Sequence, residues 1–244
     1  MMDHTAHQLL DLNRTFYDRF AAPFNRSRFD PMHGFMAALP HFPKHPEKLN
    51  VLDVGCGNGR FSLFMSQQER LGSYIGIDNS EGLLEQAREN FSDLPELVSF
   101  RPMDIRQDGF LDGYSTFDLI THHAVMHHIP QRKRRIAILQ EMAKHLSPTG
   151  MLMMSTWQFM DSERQRRKVV DWSHIGLTAE DVEEGDYLLT WNRGGTGYRY
   201  CCMIDADQTA ELAAEAGLKI VHQYREDGKE RNLSLYSLMV VQNN

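Results

Sequence analysis

Residues 51–60, VLDVGCGNGR, constrain this chain more than any other segment, because three glycines at alternate positions follow an apolar run and precede an amphipathic one. A strand that delivers the chain into Gly55, Gly57 and Gly59 can turn tightly, bring its backbone close to a ligand and open a helix whose first N–H groups are unpaired. The spacing is G-x-G-x-G, whereas the dinucleotide fingerprint G-x-G-x-x-G needs glycine where this chain has Arg60. An NAD-dependent dehydrogenase is therefore disfavoured.

Around the loop, apolar runs alternate with amphipathic segments. LNVLDVG (49–55), SYIGID (73–78), LVSFRPMD (97–104), FDLITHHAV (117–125) and MLMMSTW (151–157) read as strands. Helices are predicted over 58–69, over 80–90 with Ser80 as N-cap, and over 132–146, stopped by Ser147–Pro148 with Gly150 beyond. This rhythm predicts an α/β, Rossmann-like, doubly wound fold with a mostly parallel seven-stranded sheet. LKIVHQYRED (218–227) and NLSLYSLMVV (232–241) flank Asp227–Gly228, a hairpin signal, so the sheet should end in an antiparallel pair. An N-terminal helix is expected over 6–21, with an extended Pro-rich connector through Pro40, Pro43 and Pro46. One domain over 1–244 follows, comprising an N-terminal cap (1–47), a cofactor-binding core (48–157), a substrate-shaping insert (158–205) before the last helix, and the end of the core (206–244).

Composition narrows the partners. The formal charge of −7 argues against general polyanion binding, so contact with nucleic acid requires a local basic patch. No apolar run reaches the ~20 residues of a membrane span. Three cysteines are too few for a disulfide framework, and a reduced, cytoplasmic protein is expected.

Acids strengthen the glycine loop. Asp78, followed by Asn79, ends the second strand 23 residues after Gly55, where a carboxylate can accept from two ribose hydroxyls. Asp104 ends the third strand between Met103 and Ile105, placed to face an adenine edge, and Asp53 lies in the first strand, placed to hold the loop. With Asp53-Val54-Gly55-Cys56-Gly57-Asn58-Gly59, Asp78, Asp104 and Phe117-Asp118-Leu119-Ile120, the chain resembles the class I S-adenosylmethionine-dependent methyltransferases over roughly residues 48–157. The resemblance implies S-adenosylmethionine as cofactor. It places the amino-acid end of the cofactor at the glycine loop, the ribose at Asp78 and the adenine at Asp104 and Ile105.

A narrower resemblance is to the methyltransferases that esterify carboxymethyluridine at the tRNA wobble position. It rests on Tyr17-Asp18-Arg19-Phe20 with Phe24-Asn25-Arg26-Ser27-Arg28, on His127-His128-Ile129-Pro130-Gln131-Arg132-Lys133-Arg134-Arg135, and on Asp186-Tyr187-Leu188-Leu189-Thr190-Trp191 with Tyr198-Arg199-Tyr200. The chain departs from that group at Cys201-Cys202, where Tyr-His is usual. The resemblance implies that Tyr17 closes over the cofactor and that Arg28 faces its carboxylate. A carboxylate acceptor is ionised at neutral pH and needs orientation by a cation rather than a base; Arg28, Arg193 and Arg199 are the candidates. Relatives of the eukaryotic branch use a small activator protein, and whether this chain needs one is open.

Other residues carry two readings each. Arg132, Lys133, Arg134 and Arg135, and a second cluster at Arg164, Arg166, Arg167 and Lys168, could meet phosphates or form charged helix faces. Tyr187, Trp191, Tyr198 and Tyr200 could stack on a flipped base or form a small core of the insert. His122 and His123 are candidates for the pocket wall, with His122 also a cofactor contact, and either could serve as a base if the acceptor were a hydroxyl or amine. His123 and His127 have a metal-compatible spacing but no nearby cysteine or carboxylate to complete a site, so no metal is expected. Three functions follow: methylation of a modified tRNA uridine, methylation of a small molecule at oxygen or nitrogen, and a non-catalytic RNA-binding scaffold.

Overall fold

The computed structural model describes residues 1–26, 32–91, 96–192 and 195–242. Its centre is a seven-stranded sheet of β1 (Leu49–Val54), β2 (Leu71–Asp78), β3 (Val98–Pro102), β4 (Phe117–His123), β5 (Leu146–Trp157), β9 (Leu218–Glu226) and β10 (Ser234–Val241), in the order β3-β2-β1-β4-β5-β10-β9. The first five strands run parallel, and β10 is antiparallel to both β5 and β9. The expected sheet and its antiparallel end are both present. The order reverses between β1 and β4, the switch point where an open α/β sheet leaves a crevice at its carboxyl edge.

Strict alternation sorts each central strand onto two cores. Leu52, Val54, Ile120, Leu152 and Met154 pack on the face covered by α5 (Arg132–Lys144), α7 (Ala206–Glu215) and the start of α1 (Asp3–Arg26). Val51, Leu119, Met151 and Met153 pack on the opposite face, against α2 (His33–Ala38), α3 (Arg60–Ser66) and α4 (Glu81–Asn90). Asp227, Gly228 and the residues up to Leu233 form the hairpin turn, with Asp227 and Gly228 both at positive φ.

Three local expectations are corrected. Ser80 stands at the N-cap of α4, but its hydroxyl donates to Asp18 instead of capping the helix. The stretch around Pro40 is not wholly extended, since Leu39–His41 forms a 3₁₀ turn. Ser147–Pro148 ends α5 but lies within β5, which pairs Leu146 with Phe117 and Met151 with Leu119, so the extra residues form a bulge. The segment between β5 and α7 holds a short helix α6 (Glu163–Arg166) and an antiparallel sheet of β6 (Val169–Val170), β7 (Asp186–Trp191) and β8 (Gly197–Cys202). Helix α1 lies on β8, and its geometry breaks at Phe20 (φ −110°, ψ 16°). Among the described residues no helix is long and apolar enough to cross a membrane.

Candidate active site

The carboxyl edge of the sheet opens into a cavity of about 400 Å³ walled by the glycine loop, the ends of β2 and β4, the loop after β3, α1, β8 and the β9–β10 turn. Gly57 (φ +56°) has nothing within 4 Å of where a Cβ would stand, so the backbone here is open to a ligand. Gly55 (φ +78°) packs under Val125, whose Cγ2 would lie 2.3 Å from an added Cβ. Asp78 accepts from the N–H of Gly57 and the N–H of Ser80, both at 2.9 Å. Burial raises its pKa against these backbone donors. Each carboxylate oxygen keeps a lone pair for a further donor, as two ribose hydroxyls require. Asn79, Met103, Ile105 and Arg106 continue this wall. Asp53 binds the Tyr74 hydroxyl at 2.5 Å and the Thr121 hydroxyl at 2.8 Å, and burial raises its pKa to about 6. It thereby braces β1 under the loop.

His123 and His128 lie elsewhere on the wall. The His123 ring is set among Phe35 (4.7 Å between centroids), Phe61 (5.0 Å) and Tyr236 (6.1 Å), with neither nitrogen hydrogen-bonded. Burial drives its pKa down to about 3, so the ring is neutral. His128 is bonded at both nitrogens, to the Tyr17 hydroxyl (2.7 Å) and to the Tyr200 carbonyl (2.9 Å). One residue before Tyr200, Arg199 is only 3% exposed and its guanidinium lies over Trp157 (4.7 Å), Phe16 (5.6 Å) and Trp191 (5.7 Å). Its Nε has no hydrogen-bond partner, and no acid pairs with it among the described residues. A cation set among aromatic faces in this way can still meet an anion from the cavity.

A model of a methyltransferase domain matches residues 51–150. A protein of Encephalitozoon cuniculi that carries a methyltransferase name is 31% identical over 177 residues, covering 72% of this chain and 73% of that one. The chain belongs to the class I S-adenosylmethionine-dependent methyltransferases. Its cofactor is S-adenosylmethionine. The mouse (Mus musculus) protein named tRNA methyltransferase 9B is 29% identical over 143 residues, 59% of this chain but 26% of the relative. The fold is similar to an S-adenosylmethionine-dependent methyltransferase from Clostridium acetobutylicum (TM-score 0.67, 14% identity, 93% and 99% of the two chains). It is also similar to DhpI in a complex with S-adenosylmethionine (TM-score 0.65, 14% identity, 96% and 98%).

Of the expected site residues, the methyltransferase brings Tyr17, Asp53, Gly55, Gly57, Asp78, Asn79, Ile105, His123 and Arg199 to one cavity. Several expectations are corrected. His122 is fully buried on the opposite face of β4 from His123, its Nδ1 bonded to the Val54 carbonyl at 2.8 Å, because adjacent strand residues point opposite ways. Gly59 is off the wall, serving as the left-handed N-cap of α3 against Phe100 and Ala87. The Asp104 carboxylate is clasped by the Arg106 guanidinium at 2.5–2.9 Å, and it is Arg106 that lines the cavity. Burial pushes the Asp104 pKa up, but Arg106 holds it below the usual range. Tyr198 points away, its hydroxyl 3.3 Å from His174. Arg28 and Arg193 lie outside the described residues.

The run at 132–135 is consumed internally. Arg132 pairs with Glu211 and Glu215, Lys133 with Asp3, and Arg134 with Gln131 and Asp3. Arg135 is buried, donating to the Ile129 carbonyl, the Cys202 sulfur and Glu183. Arg134 and Arg135 are thus both partnered within the chain. Cys201 and Cys202 are free, with burial pushing their pKa values up to about 12 and about 11, so both remain thiols. Asn13, Trp157, Phe35 and Asp227, none of them a sequence candidate, also line the cavity. Asp227 carried a signal only as half of a turn dipeptide, and the other three only as apolar or helical positions.

Proposed function

We propose that this methyltransferase esterifies a carboxylate, the carboxymethyl side chain of a modified uridine in tRNA. The observation that carries the reading is Arg199, a buried guanidinium on the cavity wall with aromatic neighbours and no acid partner among the described residues. A planar anion is the ligand such a group holds best. The likeness to the mouse protein named for tRNA supports the same acceptor, as do the matching segments at Tyr17 and at Tyr198-Arg199-Tyr200.

Bound S-adenosylmethionine supplies a methyl group activated by its sulfonium. Residues of this chain hold and orient the reactants. Asp78 and the glycine loop anchor the cofactor at one end, and Arg199 steers one carboxylate oxygen while the other approaches the methyl carbon in line. The cofactor would supply the methyl group to that oxygen and keep the S–C electron pair, so that S-adenosylhomocysteine and a neutral ester would result. No proton moves, so neutral His123 walls the site without acting as a base.

A small-molecule acceptor is the second reading. It is favoured by the internal pairing of the 132–135 run and by a relative that is a polyketide synthase component, lovastatin nonaketide synthase of Aspergillus terreus, 30% identical over 112 residues, 44% of this chain and 4% of the relative. Labelled S-adenosylmethionine offered with purified tRNA and, separately, with a tRNA-free metabolite fraction distinguishes the two. The proposal expects label in tRNA that mild base releases as methanol. Label confined to metabolites, or base-stable label in tRNA, overturns it. Arg199→Gln should lower kcat/KM by about 2–3 kcal/mol equivalent, with affinity for S-adenosylhomocysteine retained.

A further inference from the structure

Where helix α1 crosses β8 and the turn after β4, the side chains of Asn13, Tyr17 and His128 make a polar knot with the Tyr200 backbone in the cavity wall. Asn13 donates to the carbonyls of His128 (3.3 Å) and Tyr200 (3.1 Å) and accepts from the Tyr200 N–H at 2.8 Å. His128 completes it with its two ring bonds. The tautomer follows from the partners. A carbonyl oxygen can only accept, so Nδ1 of His128 carries the proton toward Tyr200, with the Cys201 sulfur also 3.5 Å from that nitrogen. In the neutral ring Nε2 is then a bare lone pair, and the Tyr17 hydroxyl donates to it. With its proton committed to His128, the Tyr17 oxygen can meet a ligand only as an acceptor.

The geometry points to His128 as a positioning residue that turns the Tyr17 oxygen lone pairs toward the cavity, making that wall selective for the cationic sulfonium of S-adenosylmethionine over the neutral thioether of S-adenosylhomocysteine. If the phenol were free to rotate, its O–H dipole could point at the cavity with the wrong sign for a cation. Because the same imidazole bonds β8 next to Arg199, the element facing the cofactor and the element carrying the acceptor's cation are held by one ring. The inference concerns only the cofactor and holds whichever acceptor is used.

Calorimetric binding of S-adenosylmethionine and S-adenosylhomocysteine to the intact chain tests it without turnover. Tyr17→Phe and His128→Leu should each shrink the ratio of the two affinities by about tenfold, the usual scale for a hydrogen bond to a charged group. The double variant should lose no more than either single one. His128→Gln, whose amide can both accept from Tyr17 and donate to Tyr200, should restore the ratio. Loss of both affinities in equal proportion in His128→Leu would mean packing only and overturns the inference. An unchanged ratio in Tyr17→Phe, a variant mild enough to fold, overturns it independently.

Discussion

Asp78 shows how one side chain links the fold to the cavity. It closes the glycine loop through the Gly57 N–H and starts the turn into α4 through the Ser80 N–H, while its remaining lone pairs face the cavity. Asp78→Ala should weaken S-adenosylhomocysteine binding by about 1–3 kcal/mol, read by calorimetry; unchanged affinity would remove the ribose assignment. His122 offers a pH prediction. Its folded pKa of about 4 lies below its ordinary 6.5 because burial disfavours the charged ring. Between those values the unfolded chain binds the extra proton, so this group costs stability as pH falls from about 6.5 toward 4, by about 1.4 kcal/mol per unit. His122→Asn lacks that cost and keeps a donor for Val54. Its stability relative to the parent should therefore improve on acidification, as urea denaturation at pH 7.5 and 5.5 would show. At this scale the chain's own sequence was readable for Asp53, Gly57 and Asp78, whose positions follow from strand ends. It was not readable for choosing between His122 and His123, because strand register decides which neighbour faces the cavity.

Among elements, α5 explains an electrostatic oddity. Four cations open this helix against its macrodipole, which costs a little free energy unless something else compensates. The compensation comes from elsewhere in the chain: Asp3 from α1, Glu183 from the insert, and Glu211 and Glu215 from α7. Arg135→Met should destabilise the fold by roughly 2–4 kcal/mol, since it strands the Ile129 carbonyl and Glu183, while Arg132→Ala should cost under about 1 kcal/mol at its exposed pairs. Equal losses in denaturant melts would argue against this division. The parallel strands and α5 were legible because apolar runs and helical spacing repeat locally. The insert was not, for its three short strands pair only with one another and gain their packing from α1, far away in the chain.

For the whole molecule, the corrected basic run changes the expectation for RNA. With Arg132, Lys133 and Arg134 already paired, neutralising all three should leave the salt dependence of tRNA binding where it was. A flattened slope in filter binding would return phosphates to that face. The sequence by itself determined the fold class, the cofactor and the placing of acids at consecutive strand ends, because a glycine loop between strand and helix has a local physical meaning. Only the tertiary structure decided that Arg199 is buried with no acid beside it among the described residues, that Arg106 clasps Asp104, and that His128 holds Tyr17. The first and last of these join residues distant in the chain, and a side chain's charge partners, exposure and tautomer depend on what folding brings beside it.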